Sequence, residues 1–451
     1  MFNMKNKIIY ISFITATLFA GCSKTLDTEP TSSISQEQAL STSGNVQAAL
    51  VGTYSDLGAA DIYGARVFVN PDLLGDNDEL IWSGTFQGLT QIFNKSIPVD
   101  NGFITNTWLT AYTAINGANN VLSALGVVVA KDKDRIEGEA KFIRGLTYFD
   151  LVRLYGKAWN DGTPASNPGV PIVLIPTRGI DESNKLARNT VAEVYDQVIK
   201  DLTDAEAKLP ATNGFFATKY SAAAILARVY LQKGDYANAV QAANRVITSG
   251  KYSLNATYAD EFPYNPGGPI QISNTPEDIF ALQVNPTDGV NDFNTFYSAN
   301  GRGDITITDN HLNLYDPTDD RLNMFYDLSG SIYSGKFENA AGNVHVTRLA
   351  EMYLIRAEGN FRLSTSVGAT PLSDINRIRA RVLLTPLGSV TLANILKERK
   401  LELSFEGFTL HDVKRLQGTV GALPWNSPKL IYPIPDREIK VNSKLTQNAG
   451  Y

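Results

Sequence analysis

Alanines spaced for close helix contact constrain this chain more than any other feature. Across residues 217–250, Ala227 and Tyr230 fall on one helical stretch, Ala239, Ala243 and Val246 on another, and Gly234, Asp235 and Tyr236 stand between them. Two such stretches around a glycine-marked turn predict an antiparallel helical hairpin. Small side chains let the two helices approach closely, and Tyr230 is expected to fill the gap toward a neighbouring pair. A single hairpin cannot bury its own outer face, so further pairs must follow elsewhere in the chain.

The offsets are those of the tetratricopeptide repeat, with a chance hairpin as the plainer alternative. Candidates for degenerate partners are residues 107–155, 190–209, and the pair at 348–364 and 373–381. Residues 36–57 read as a first helical region, interrupted around Ser43 and Gly44. Another, from about residue 107 to 125, carries Trp108, Tyr112, Ile115 and Val121. The segment from about residue 133 to 155 is apolar on nearly every side, through Ala140, Ile143, Leu151, Leu154, Phe142, Leu146 and Phe149, and belongs inside a stack of helices. The fold expected is therefore mainly α: tetratricopeptide-type pairs in a right-handed superhelix, wrapped by a loop-rich region with a few short strands. The long Gly/Pro/Asn-rich stretches at 61–106, 157–189 and 252–346 supply that wrapping, pinned by strands at Val170–Ile175 and Ile279–Val284.

The N-terminus reads as an export signal. Lys5 and Lys7 precede an uncharged apolar run from Ile8 to Gly21, shorter than the roughly 20 residues a spanning helix needs. Ala20 and Gly21 lead into Cys22, the only cysteine, as in a bacterial lipobox. Cys22 is thus the expected lipidation site, and a lone thiol allows no internal disulfide. The expected organisation is a signal peptide over 1–21, a lipidated tether over 22–35, a helical part over 36–251, a loop-rich ligand or partner region over 252–346, and C-terminal helices and tail over 347–451.

Composition removes several classes of function. Lys and Arg number 40 against 46 Asp and Glu, a net charge of -6 with no dense basic run, which argues against nucleic acid as a partner. Three histidines, His311, His345 and His411, show no helical pairing for zinc. No Gly-x-Ser-x-Gly elbow is present, and the glycines near Gly267 and Gly301 lack the context of a phosphate loop. Glu398, Glu402 and Glu406 lie four apart, the raw material of a glycosidase pair or of a structural ladder with Lys397, Arg399, Arg415 and Arg356. The ladder is the reading favoured, because a helix inside a stack offers no cleft, and the same holds for Glu351 and Glu358. The acidic groups Asp72, Asp76, Asp78, Glu79 and Asp316, Asp319, Asp320 lack the spacing of a calcium loop. No catalytic residue, metal or cofactor is expected.

Aromatic residues on the long loops are the informative remainder. A sugar ring presents an apolar face rimmed by hydroxyls, so its receptor needs flat aromatic platforms beside amide, carboxylate or guanidinium groups. Trp82 and Phe86 beside Asn77 and Asp78, and Phe293, Tyr297 and Arg302 beside Asn291 and Asn300, have that composition. Their plainer role is to staple the loops to the helical body.

Several segments together resemble one family. They are LDTEP after Cys22, EGEAKFIRGLTYFDLVRLYG (137–156), GVPIVL (169–174), the hairpin above, RLAEMYLIRAE (348–358), INRIRAR (375–381), KERKLELSFEGFTLHDVKR (397–415) and YPIPDREIKVNSKLTQNAGY (432–451). In this order they resemble the SusD/RagB family of outer-membrane nutrient-binding lipoproteins. The resemblance implies a tetratricopeptide fold held by lipid at the cell surface. It also implies a non-enzymatic role: capture of an oligosaccharide or other nutrient, handed to a SusC-like TonB-dependent transporter in the outer membrane. The rival readings are a tetratricopeptide scaffold that binds only protein and, more remotely, a surface glycan hydrolase.

Overall fold

Most of the long helices open on a side chain that replaces a missing backbone partner. Thr42, Asn101, Thr190, Thr218, Asp235, Thr370 and Thr391 each accept a hydrogen bond from the backbone N–H three residues on. The computed structural model describes residues 38–451, apart from 180, 267, 269, 271–272 and 285–290. The expected signal peptide, Cys22 and the tether lie outside the described residues, as does Gly267.

In chain order the helices are α1 (Ser43–Leu57), α2 (Arg66–Gly75), α3 (Gln87–Phe93), α4 (Gly102–Ser123), α5 (Ala130–Tyr155), α6 (Val191–Lys208), α7 (Lys219–Lys233), α8 (Tyr236–Ile247), α9 (Asp292–Tyr297), α10 (Asp309–Leu312), α11 (Leu349–Leu363), α12 (Pro371–Arg381), α13 (Leu392–Glu402), α14 (Thr409–Arg415) and α15 (Asp436–Val441). Strands β1 (Leu80–Trp82), β3 (Ile305–Ile307), β4 (Phe325–Leu328) and β5 (Ser331–Ser334) form one sheet in the order β1-β3-β5-β4. Strands β2 (Asp278–Leu282) and β6 (Val344–Arg348) pair antiparallel, as do β7 (Thr419–Val420) and β8 (Leu423–Pro424).

The long helices stack in succession. α1 packs on α4, α4 on α5, α5 on α6, α6 on α7, α7 on α8, α8 on α11, and α11 on both α12 and α13. The alanine pattern of 217–250 becomes the α7–α8 hairpin. Ala227, Ala239 and Ala243 are fully buried, and Gly234 closes α7 with φ +73°. On the far side of α8, a Cβ at Gly359 of α11 would lie 2.4 Å from Val240 Cγ2, so glycine sets that close approach. Tyr230 is only partly buried and packs at the edge of the core rather than filling a sealed gap. Among the described residues the main hydrophobic core runs from Leu40 to Leu445, and a smaller cluster of Tyr258, Phe262, Val382 and Leu384 packs apart from it.

Two expectations about the long loop stretches change. Residues 170–175 form no strand, although Pro168 and Thr190 make an isolated bridge. Side chains replace the ladder: Tyr112 Oη donates to Pro171 O at 2.7 Å, Asn119 Nδ2 to Val173 O at 2.9 Å, and Asn189 Oδ1 accepts from Ile172 N at 2.9 Å. The 61–106 stretch holds two helices, α2 and α3, where only loop was expected. Pro71 inside α2 hid that helix from a reading of breakers.

Three of the motifs that carried the resemblance meet in one buried ion network. Arg348 Nη1 donates to Glu277 Oε1 at 2.9 Å and Glu402 Oε1 at 2.6 Å, while its Nε reaches Glu406 Oε2 at 2.9 Å. Arg381 binds Glu277 and Glu402, Arg321 binds Glu398 at 2.8 Å, and Lys336 Nζ binds Glu406 at 2.7 Å. The three glutamates are thus a structural ladder, with partners other than those expected. Arg399 goes instead to Asp412, Arg415 to Asp412 and Glu358, and Arg356 to Asp374. Glu406 also lies beyond α13, which ends at Glu402. Burial opposes its charge, but Arg348 and Lys336 hold the Glu406 carboxyl down at about 2.

Candidate functional site

The β4–β5 hairpin builds a candidate ligand surface from its turn outward. Ser329 and Gly330 both have positive φ, 57° and 83°, which suits a two-residue turn matched to the twist of the strands. That turn sets Leu328 opposite Ser331 and Tyr326 opposite Tyr333. The two tyrosine rings stack with centroids 5.7 Å apart and planes 27° from parallel.

Residues 298–303 thread past this pair. Gly303 has φ +60°, and a Cβ there would sit 3.0 Å from Tyr333 Cε1, so glycine lets the loop lie against the ring. Ala299 N donates to Tyr326 Oη at 3.3 Å, and the same hydroxyl donates to Glu338. The other oxygen of Glu338 accepts from Ser298 Oγ at 2.9 Å and Asn300 Nδ2 at 2.7 Å. Asn300 Nδ2 also stands 3.5 Å from the hydroxyl of Tyr264, a ring 44% exposed. At the other end, the Arg302 guanidinium lies 4.7 Å above Phe86, held by Asp304 at 2.7 Å and Thr85 at 3.1 Å. The result is a line of partly exposed rings, Phe86, Tyr333, Tyr326 and Tyr264, with Arg302, Asn300 and Glu338 between them. A cleft of about 740 Å³ opens on its Tyr264 end, lined also by Asn323 and Leu328.

The residues singled out by sequence divide by burial. Phe86, 39% exposed, and Arg302 belong to this line. Trp82, Phe293 and Tyr297 lie beneath it and offer no free face. Trp82 is 8% exposed and donates its indole N–H to Thr90 Oγ1 at 2.8 Å; Phe293 stacks on Phe337 at 4.5 Å; Tyr297 is fully buried between Phe337 and Phe405. They are staples, because the β1–β3 edge and α9 need apolar ballast to dock on the core. Asn77 and Asp78 are exposed but held elsewhere. Asn77 Oδ1 accepts from Gly421 N at 2.8 Å, and Asp78 O accepts from Thr308 Oγ1 at 2.7 Å. Tyr264, Tyr326, Tyr333 and Glu338 were not among the residues read from sequence; the alternation of residues 325–334 around Ser-Gly was the signal that points to a hairpin there.

Two other clefts are less suited to a sugar. One, of about 510 Å³, is walled by Leu80, Leu314, Leu396 and Leu401 and lacks an exposed ring. The other, of about 650 Å³, lies beside Phe215 and Phe216 and borders residues outside the described set. No helix among the described residues is long and apolar enough to cross a membrane.

Comparison with known proteins agrees with this architecture. Residues 24–231 match the family described as starch-binding associating with outer membrane, and residues 230–427 match the SusD family. SusD-like protein P2 of Formosa agariphila is 26% identical over 98% of this chain and 99% of its own length. A SusD-like protein of Bacteroides ovatus is 25% identical over 91% of this chain and 82% of its own. A putative sugar binding protein of Bacteroides vulgatus superposes with a TM-score of 0.81 at 28% identity, covering 91% of this chain and 99% of that one. A SusD superfamily protein of Bacteroides thetaiotaomicron gives 0.79 at 26% identity, covering 90% and 99%. With the family matched across residues 24–427 and the helical stack shared with its solved structures, the chain belongs to the SusD family.

Proposed function

We propose that the chain is a non-enzymatic surface lipoprotein that binds an oligosaccharide along the Phe86–Tyr264 line. It passes that cargo to a SusC-like TonB-dependent barrel in the outer membrane. Acyl chains on Cys22 anchor the body, since each buried CH2 contributes roughly 0.8 kcal/mol. The observation that carries the binding reading is the juxtaposition of partly exposed rings with an amide, a carboxylate and a guanidinium. Rings take the C–H faces of successive sugars, and the polar groups take the hydroxyls. The putative sugar binding protein of Bacteroides vulgatus, related along the whole fold, supports the same class of ligand. The former candidates Trp82, Phe293 and Tyr297 enter as the floor that positions Phe86 and the 298–303 loop.

The test is a glycan-array screen of the soluble body followed by calorimetric titration of the hits. Retention of one glycan class, weakened by Tyr264→Ala, supports the reading. Failure to retain any glycan while a barrel still co-purifies through the same face favours a protein-binding scaffold. For the anchor, Cys22→Ala should abolish fatty-acid labelling.

A further inference from the structure

The segment that carries most of the ligand line is far more acidic than the chain as a whole. Residues 252–346 hold 13 Asp and Glu against three basic residues, Arg302, Arg321 and Lys336, a net charge of -10 where the whole chain carries -6. None of the three cations is free to meet an acid on a ligand. Arg321 is buried among Asp319, Glu398 and Glu402. Lys336 Nζ is taken up by Ser404 O and Glu406 Oε1, both at 2.7 Å, and Arg302 is held by Asp304 at 2.7 Å.

The cleft of about 740 Å³ at the Tyr264 end shows the consequence. Its wall holds no Lys or Arg, whereas Asp260 and Glu338 both line it. Glu338 is 8% exposed, and its donors, Tyr326 Oη, Ser298 Oγ and Asn300 Nδ2, are all neutral. No cation lies within salt-bridge distance of it among the described residues. A carboxylate enclosed in this way is weakly screened, and a cleft lined by one sign of charge focuses that field on whatever enters. Asp260 is exposed, accepts from Thr257 N at 3.0 Å, and has no ion-pair partner among the described residues either. Asp320, which accepts from Asn323 of the cleft wall at 2.9 Å, adds a further carboxylate without a cation. Beside these acids stand the rings of Tyr264 and Tyr326, whose faces also attract positive charge.

Resting on the oligosaccharide reading above, we propose that this cleft selects glycans bearing free amines, hexosamine units whose ammonium groups are drawn to the Asp260 and Glu338 end of the line. The rings and the carboxylates act in the same direction, since both favour a cation. Uronic acids and sulfated sugars are disfavoured, because they bring like charge to a wall with no cation to receive it. A neutral sugar gains the ring and hydroxyl contacts alone.

Calorimetric titration with two hexamers of one backbone, the glucosamine hexamer and its fully N-acetylated counterpart, tests this, with hexagalacturonate as the acidic comparison. In a mildly acidic buffer that protonates the sugar amines, the amine hexamer should bind about 3- to 20-fold tighter than the acetylated one, as expected of one to two partly screened ion pairs. Added salt should erase most of that preference, and Asp260→Asn should narrow it by about two- to five-fold. Equal affinity for the two hexamers, tighter binding of hexagalacturonate, or an array that retains neutral or acidic glycans alone overturns amine selectivity and leaves the oligosaccharide reading intact. An array that retains no glycan of any charge removes that reading, and the selectivity falls with it.

Discussion

Tyr326 and Tyr333 face each other across a two-residue turn, their rings stacked at 5.7 Å, and the exposed edge of that pair is continuous with Asn300 and Tyr264. Neither Tyr264 nor Tyr333 is needed to close the core. Truncating Tyr264 to alanine should therefore weaken oligosaccharide binding by about 1–3 kcal/mol with Tm nearly unchanged. Titration and melting of the one variant check both halves. A large loss of Tm would mean that the ring serves the fold instead.

Trp82 and Tyr297 should behave in the opposite way. Both are enclosed, so Trp82→Ala or Tyr297→Ala is expected to cost about 3–5 kcal/mol of stability, the order for large aromatic truncations in cores. Tyr297→Phe is the sharper experiment. Its hydroxyl is buried without a partner, so removing it deletes a polar atom that gains nothing from being inside. The variant should be as stable as wild type or more so by denaturant titration, and a clear loss would reveal a hydrogen bond to that oxygen.

Affinity for a free, monovalent sugar should be modest. Covering one ring face hides roughly 50 Å² of apolar surface, or about 1–1.5 kcal/mol at about 25 cal/mol per Å². A few such platforms and water-competed hydrogen bonds give about 4–7 kcal/mol, a Kd between about millimolar and ten micromolar. A nanomolar constant by calorimetry would show that the ligand is enclosed rather than laid on an open line.

The helical part of this fold was legible because alanine spacing and turn residues act locally. Ala227, Gly234 and Asp235 each specify their own turn of chain, and the caps such as Thr218 came to light only in the structure. The ligand surface was less legible, since exposure is a tertiary property. Trp82 and Phe86 look alike in sequence, yet one is buried against Thr90 and Phe296 and the other stays 39% exposed, because β1 alternates and then gives way to α3. The same limit applied to charge. Glu402 was assigned to a structural ladder because a helix inside a stack offers no cleft, but its partners Arg348 and Arg381 come from 54 and 21 residues away, which no helical periodicity reports.

His345 should give the fold a pH dependence that one substitution isolates. Its Nδ1 lies 2.5 Å from Asp278 Oδ1 and 3.5 Å from Glu261 Oε1, with Glu406 contributing from farther off. Burial alone would lower its pKa, but the charge and hydrogen bond of Asp278, then Glu261, outweigh it and raise the imidazole to about 9. A folded value above the unfolded value of about 6.5 means that the stabilisation is complete below pH of about 6.5 and is lost as pH rises through about 9. The span corresponds to about 3 kcal/mol. Lys336 and Lys414, pulled by burial to about 8 and about 7, act in the opposite sense, so the wild-type curve alone is flattened. The difference between wild type and His345→Gln cancels Lys414, which packs elsewhere, and leaves from Lys336 only the part coupled to His345 through Glu406. Denaturant unfolding of both proteins should show a wild-type advantage at pH 6 that shrinks by about 3 kcal/mol by pH 10, and a difference that stays constant across that range would mean that folding leaves the His345 pKa unchanged.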